Sequence, residues 1–187
     1  MKDFLYQLQW VTYRLPLWSV WLIIAAAVIL WGLAGRRLTK KAPKLWRGVN
    51  IVVLLCSAAA IVYLTLLHRG TDKQLLELMP FHSFIEAKQQ REIYRTLTMN
   101  VFLFVPFGLT FPFVFPGNNL AKTVAATVIS ALVISVGIEI LQYALCLGKA
   151  ETDDVLCNII GAAAGAVAIL FHPQKNNLHK KTLLWHS

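Results

Sequence analysis

The chain has 187 residues, 57% hydrophobic and 14% charged, against the roughly 25% charge of a soluble domain, so a soluble enzyme or a soluble binding module is excluded. The net charge of +9 does not describe a nucleic-acid surface, because the basic residues gather at the ends of apolar runs, where Lys and Arg set membrane orientation beside anionic lipid.

Residues 1–14 place Phe4, Leu8, Val11 and Leu15 near helical spacing, with Trp10 and Tyr13 beside them. Two readings stand there, an amphipathic helix lying on the outer membrane surface and a frayed terminus. Five uncharged or nearly uncharged runs follow, at 15–35, 48–67, 96–121, 123–148 and 155–171, and only the fourth is interrupted, by Glu139. A bilayer core about 30 Å thick needs ~17–25 apolar residues per helical span, and every run falls in or near that range. Backbone in lipid must satisfy its own hydrogen bonds, and the alternating pattern of barrel strands is missing, so the spans are helices. The first run is too long for a cleavable signal peptide, and its charges follow rather than precede it. The predicted class is all-α, a polytopic transmembrane bundle of about five spans.

Arg36, Arg37, Lys40, Lys41, Lys44 and Arg47 lie in one short stretch without an acid, which the positive-inside rule places in the cytoplasm. Lys122, Lys175, Lys180 and Lys181 then also fall inside, and eight of the nine acids fall outside. The predicted orientation has the N-terminus outside and the C-terminus cytoplasmic, in a multi-pass protein of the cell membrane. The chain divides into an interfacial segment with two membrane helices joined by the basic loop (1–70), an extracytoplasmic segment (71–99), a core of three membrane helices (100–171) and a basic tail (172–187). Of the three cysteines, Cys146 and Cys157 fall near the outer ends of adjacent spans. Free thiols are expected, with a disulfide as the alternative, since a bridge needs Cα atoms within about 7 Å.

Glu139 carries the chemistry. A central acid costs about 2.5–3.5 kcal/mol on insertion scales, and an intramembrane acid marks a functional site by default. Ser135, Glu139, Gln142 and Cys146 form one polar stripe at helical spacing, and Asp154, Asn158, Gly161 and Gly165 form a second. The glycines make a small-xxx-small surface, expected to seat the fourth span against the fifth, with Gln142 and Asn158 at similar depth and able to bond. The third run adds Asn100 and then Pro106, where a kink or a re-entrant break is expected because proline removes a backbone donor. Before it stands Met79-Pro80-Phe81-His82-Ser83-Phe84, an apolar motif at the interface.

These pieces together resemble the VanZ-like membrane proteins, a family named for an accessory teicoplanin-resistance protein. The resemblance covers about 76–170 and rests on Pro80-Phe81, on Asn100 through Gly108 with Pro106 inside, and on Glu139-Ile140-Leu141-Gln142. It continues through Gly148, Glu151, Asp154-Val155, Asn158, Gly161 and Gly165. The chain departs at Glu77, where the family often has Asn, and at Glu151, where it commonly has Asp. The resemblance implies a cell-envelope role and little chemistry.

The first function hypothesis is a protein that binds or modifies a cell-envelope molecule, whether a glycopeptide antibiotic, a peptidoglycan precursor or a lipid, in a cavity open to the outer leaflet. Pro80, Phe81, His82, Asn100, Pro106, Glu139, Gln142, Glu151, Asp154 and Asn158 would line it. The second is a membrane-embedded enzyme with Glu139 as general acid or base, or with Glu139, His82 and Asp154 holding a metal. No HExxH and no close histidine pair is present, so neither a metal nor another cofactor is expected, and no G-x-S-x-G marks a serine nucleophile. The third, a proton-coupled transporter, lacks the internal repeat such folds show. The expected partners are membrane lipids and a glycopeptide or lipid-linked cell-wall precursor, and not nucleic acid.

Overall fold

A computed structural model of the chain describes residues 17–67, 74–117 and 119–171. Helix α1 (Leu17–Lys41) is followed by α2 (Pro43–Val62), which continues through a π-helical turn at Tyr63–Leu67. Strand β1 (Gln74–Glu77) and the short helix α3 (His82–Glu86) precede α4 (Arg91–Val114) and α5 (Leu120–Ala144). Strand β2 (Gly148–Glu151) leads into α6 (Thr152–Ala166), which tightens into a 3-10 segment at Val167–Phe171. Among the described residues five helices are long and apolar enough to cross a membrane, namely α1, α2 with its π turn, α4, α5, and α6 with its 3-10 segment. The expected span number and class are therefore observed. The amphipathic segment expected at 1–14 and the basic tail at 172–187 lie outside the described residues.

Three local features differ from the sequence reading. The basic stretch at 36–47 is not a loop: Ala42 alone separates α1 from α2, so the six cations stand on helix ends. The break falls there because a residue before proline is driven out of the α region, as the φ of −147° at Ala42 shows, while Pro43 suits the first helical turn. The third span runs unbroken from Arg91 to Val114 with Pro106 and Pro112 inside it, so the re-entrant alternative is not what forms. The bundle also carries a two-stranded parallel sheet, β1 beside β2, with Gln74 opposite Gly148 and Glu77 opposite Glu151. Each strand has only four residues, too few for alternation to show in a sequence.

Helix α4 is the axis of the fold. One side packs Leu97, Val101, Val105 and Leu109 against Ile24 and Val28 of α1 and Cys157 of α6. The other packs Phe104 and Phe107 against Ile61 of α2, Ala131 and Ile138 of α5, and Ala162 of α6. A β-carbon on Gly161 would collide with the backbone oxygen of Val101, one on Gly165 with that of Val105, and one on Gly108 with that of Ala162. The ascending order of these contacts makes α4 and α6 parallel neighbours. The small-residue surface therefore seats the third span, not the fourth as expected, because Gly108 supplies the matching gap on α4 and close backbone approach needs small residues on both helices.

The outward faces remain apolar, as lipid requires, with Leu22, Ile29, Leu30, Leu55, Val133 and Ile140 all exposed. At the basic end an aromatic cluster fixes α1, α2 and α4 together. Trp31 and Trp46 lie 5.2 Å apart, Trp46 meets Phe113 edge-on at 5.5 Å, and Trp31 Nε1 donates to Asn50 Oδ1 at 3.3 Å.

Candidate polar site at the acidic end of the bundle

Every described acid gathers where α5 ends and α4 and α6 begin: Glu77, Glu86, Glu92, Glu139, Glu151, Asp153 and Asp154. Helix α5 stops in a Schellman closure, in which Leu147 N donates to Gln142 O at 2.9 Å and Cys146 N to Tyr143 O at 3.3 Å. Cys146 takes the left-handed position, φ 54°, that glycine usually fills. The chain then turns back along the helix, and this return sets which residues meet.

Glu139 is buried, and its Oε2 accepts the backbone N–H of Glu151 at 2.9 Å. That N–H stands at the start of α6, where the helix dipole favours negative charge, so the acid that sequence reasoning found costly is placed against the positive end of a neighbouring helix. One turn before it on α5, the hydroxyl of Ser135 accepts from Asn158 Nδ2 at 2.8 Å. Gln142 turns elsewhere, its Nε2 donating to the Thr65 carbonyl at 2.9 Å in the π turn that ends α2. The expected Gln142–Asn158 bond is thus replaced by two others, since the return of β2 sets Asn158 two turns deeper against α5 than a direct helical hairpin would.

Asp153 holds the outer layer, a role the sequence reading did not assign. Its Oδ1 accepts from the N–H of Phe81 at 2.6 Å and its Oδ2 from that of Ser83 at 2.8 Å. These two bonds hold Phe81 at a φ of 67°, a conformation costly for a bulky side chain. Ser83 Oγ donates to Glu151 Oε2 at 2.8 Å, and Glu151 Oε1 pairs with Lys149 at 3.1 Å. The signal for Asp153 was local, an acid in the first turn of a helix, but nothing in the sequence says that it serves a loop 70 residues away.

Buried polar groups are normally paired, which makes the exceptions informative. Asn100 Nδ2, Asn158 Oδ1 and His82 Nδ1 are buried without a hydrogen-bond partner. Asn100 lies one turn above Phe104, on the side of α4 that faces α5 and α6. The unmade donor on Asn100 thus lies on the Phe104 side of α4, and the unmade acceptor on Asn158 belongs to the side chain that reaches Ser135, one turn from Glu139. His82 Nδ1 stands 3.8 Å from Glu86 and 4.0 Å from Glu77, beyond hydrogen-bond range. Of the expected site residues, the structure brings Asn100, Glu139, Glu151, Asp154 and Asn158 to one end, with His82 at its rim. Pro80 and Phe81 lie exposed above them, Gln142 is engaged with α2, and Pro106 is six residues deeper along α4. Among the described residues no three His, Cys, Asp or Glu side chains converge as metal ligands, and all three cysteines are free thiols.

The family model described as VanZ/LLP1 matches residues 48–172. The chain belongs to the VanZ/LLP1 family. No curated protein and no solved structure matches it. The VanZ region begins within α2 and so reaches further than the 76–170 read from motifs. The fold gives the reason, since Ile61 of α2 enters the core beside Phe104 and Thr65 receives Gln142. Helix α1 stands outside the matched region.

Proposed function

We propose that this VanZ-family chain is a multi-pass protein of the cell membrane whose acidic end faces outward and binds or modifies a cell-envelope molecule. The basic ends of α1 and α2 stand on the cytoplasmic side in this reading, as positive-inside charge requires. The molecule is a glycopeptide antibiotic, a peptidoglycan precursor or a lipid, and the role is in resistance to glycopeptides such as teicoplanin. The observation that carries the reading is the unmade donor on Asn100 and the unmade acceptor on Asn158, whose amide bonds Ser135 one turn from the buried Glu139. A close-packed bundle keeps such groups where a polar partner completes them, because leaving each unsatisfied costs about 1–3 kcal/mol. The exposed Pro80 and Phe81 above them suit the apolar part of the same molecule.

Expression in a susceptible host tests this. The intact protein is expected to raise the inhibitory concentration of teicoplanin, and Asn100→Leu or Asn158→Leu to abolish the rise while leaving the protein in the membrane. Unchanged resistance in both variants overturns the assignment of the site.

A second reading, an enzyme with Glu139 as general acid or base, draws on the placement of this buried intramembrane carboxylate against the α6 terminus. Glu139→Gln separates the two. It keeps an acceptor for the Glu151 N–H, so a binding role survives it and proton transfer does not.

A further inference from the structure

The opposite end of the bundle carries a feature that the acidic site does not use. A shallow, open groove of about 350 Å³ lies along the outer side of the last two turns of α1, its wall formed chiefly by the carbon stems of Leu33, Arg36, Arg37, Lys40 and Lys41. The five recur at helical spacing, so they form one stripe, and the four cations rise along only about 8 Å of axis. All four are exposed. No acid occurs between Asp3 and Asp72, between Glu92 and Glu139, or after Asp154, so no carboxylate of α1, α2, the last part of α4 or the first part of α5 faces them. Among the described residues these four positive charges have no counter-ion beside them, and such a cluster concentrates an anion.

The stripe also continues in one direction as hydrocarbon. Leu33 is exposed, and Leu30, Ile29 and Leu22 follow it down the same side of α1 into the span. Carbon below and cations above match a molecule with a phosphate at the membrane surface and an acyl chain beneath. The site is also held in place. Gly35, on the inner side of the same turns, sits against Phe113 and Trp46, and the Trp31–Trp46–Phe113 cluster fixes this end of α1 to α2 and α4.

We infer that the Leu33, Arg36, Arg37, Lys40 and Lys41 groove is a binding site for an anionic glycerophospholipid of the leaflet at the basic end. Arg36 and Arg37 grip the phosphate oxygens through their forked donors, Lys40 and Lys41 add charge, and an acyl chain lies along Leu33 and Leu30. This site is independent of whatever the acidic end binds.

The test is lipid retention on the full-length protein, extracted from nanodiscs holding equal phosphatidylglycerol and phosphatidylcholine and weighed by native mass spectrometry. The intact protein is expected to retain phosphatidylglycerol preferentially. Two double variants remove the same charge and each leave four basic residues for orientation. R36Q/R37Q, inside the groove, is expected to lower that retention about tenfold, since each basic side chain near an anionic headgroup contributes severalfold. K44Q/R47Q, outside it, leaves retention unchanged. A large excess of inorganic phosphate is expected not to displace the lipid; displacement would mean that a free phosphate, without a chain, is the ligand and would overturn the assignment. Equal losses in both variants reduce the effect to surface charge and also overturn it. Should R36Q/R37Q fail to be recovered folded, the intact protein decides alone, and absence of a phosphatidylglycerol preference refutes the site.

Discussion

The carboxylate of Glu139 accepts the backbone N–H of Glu151 at 2.9 Å, joining the interior of α5 to the strand that opens α6. Glutamine at 139 keeps an acceptor of the same reach, whereas alanine leaves the Glu151 N–H unmade and a gap behind it. Glu139→Gln is expected to unfold within a few degrees of the wild type in detergent, and Glu139→Ala to lose about 1–3 kcal/mol. Thermal unfolding followed by circular dichroism measures both. Equal losses would mean that the charge itself, not the hydrogen bond, holds this junction.

Asp153 accepts from Phe81 and Ser83 with its two oxygens. Asparagine can accept through only one, and alanine through neither, so the order of stability should be Asp, Asn, Ala. The released segment is 74–90, and limited proteolysis there should speed up in the same order while the membrane helices stay intact. Uniform cleavage rates across the three proteins would show that the sheet pairing alone holds the outer layer.

The glycines separate tight contact from mere helix preference. Alanine at Gly108, Gly161 or Gly165 puts a β-carbon into facing backbone and should cost about 1–3 kcal/mol by overpacking. At Gly48 and Gly137 a β-carbon meets nothing within 4 Å, so alanine there should be neutral or stabilising by up to roughly 1 kcal/mol from helix propensity. Chemical unfolding of the five single variants tests the contrast, which would fail if Gly137→Ala proved as costly as Gly161→Ala.

Asn158 and Ser135 bond across α6 and α5 at 2.8 Å. A double-mutant cycle on Asn158→Ala and Ser135→Ala should give a coupling of about 0.6–1.5 kcal/mol, in the range of interhelical bonds in membrane proteins. A coupling indistinguishable from zero would show that the two side chains find other partners.

Orientation is open to direct measurement. In a background with Cys56, Cys146 and Cys157 replaced, Met79→Cys, at an exposed position, should react with an impermeant thiol reagent in intact cells, and Lys41→Cys should react only after lysis. The reverse pattern would turn the acidic end toward the cytoplasm and remove the envelope-facing reading.

The sequence by itself determined the number of membrane helices, their class and which of their residues face inward. Each is a local property. A run of apolar residues partitions into the bilayer whatever its neighbours do, and a stripe such as Ser135, Glu139 and Gln142 must turn from lipid because hydrocarbon offers no hydrogen-bond partner. All three residues are buried, as are Asp154 and Asn158. Tertiary structure decided who meets whom. Gly161 and Gly165 seat the parallel α4 because Gly108 lies opposite, and azimuthal matching between helices some 50 residues apart leaves no periodicity to read. Likewise Glu139 finds a backbone N–H, which every residue but proline carries, and Asp153 finds two more in a distant turn. Partners of that kind exist only once β2 has folded back along α5.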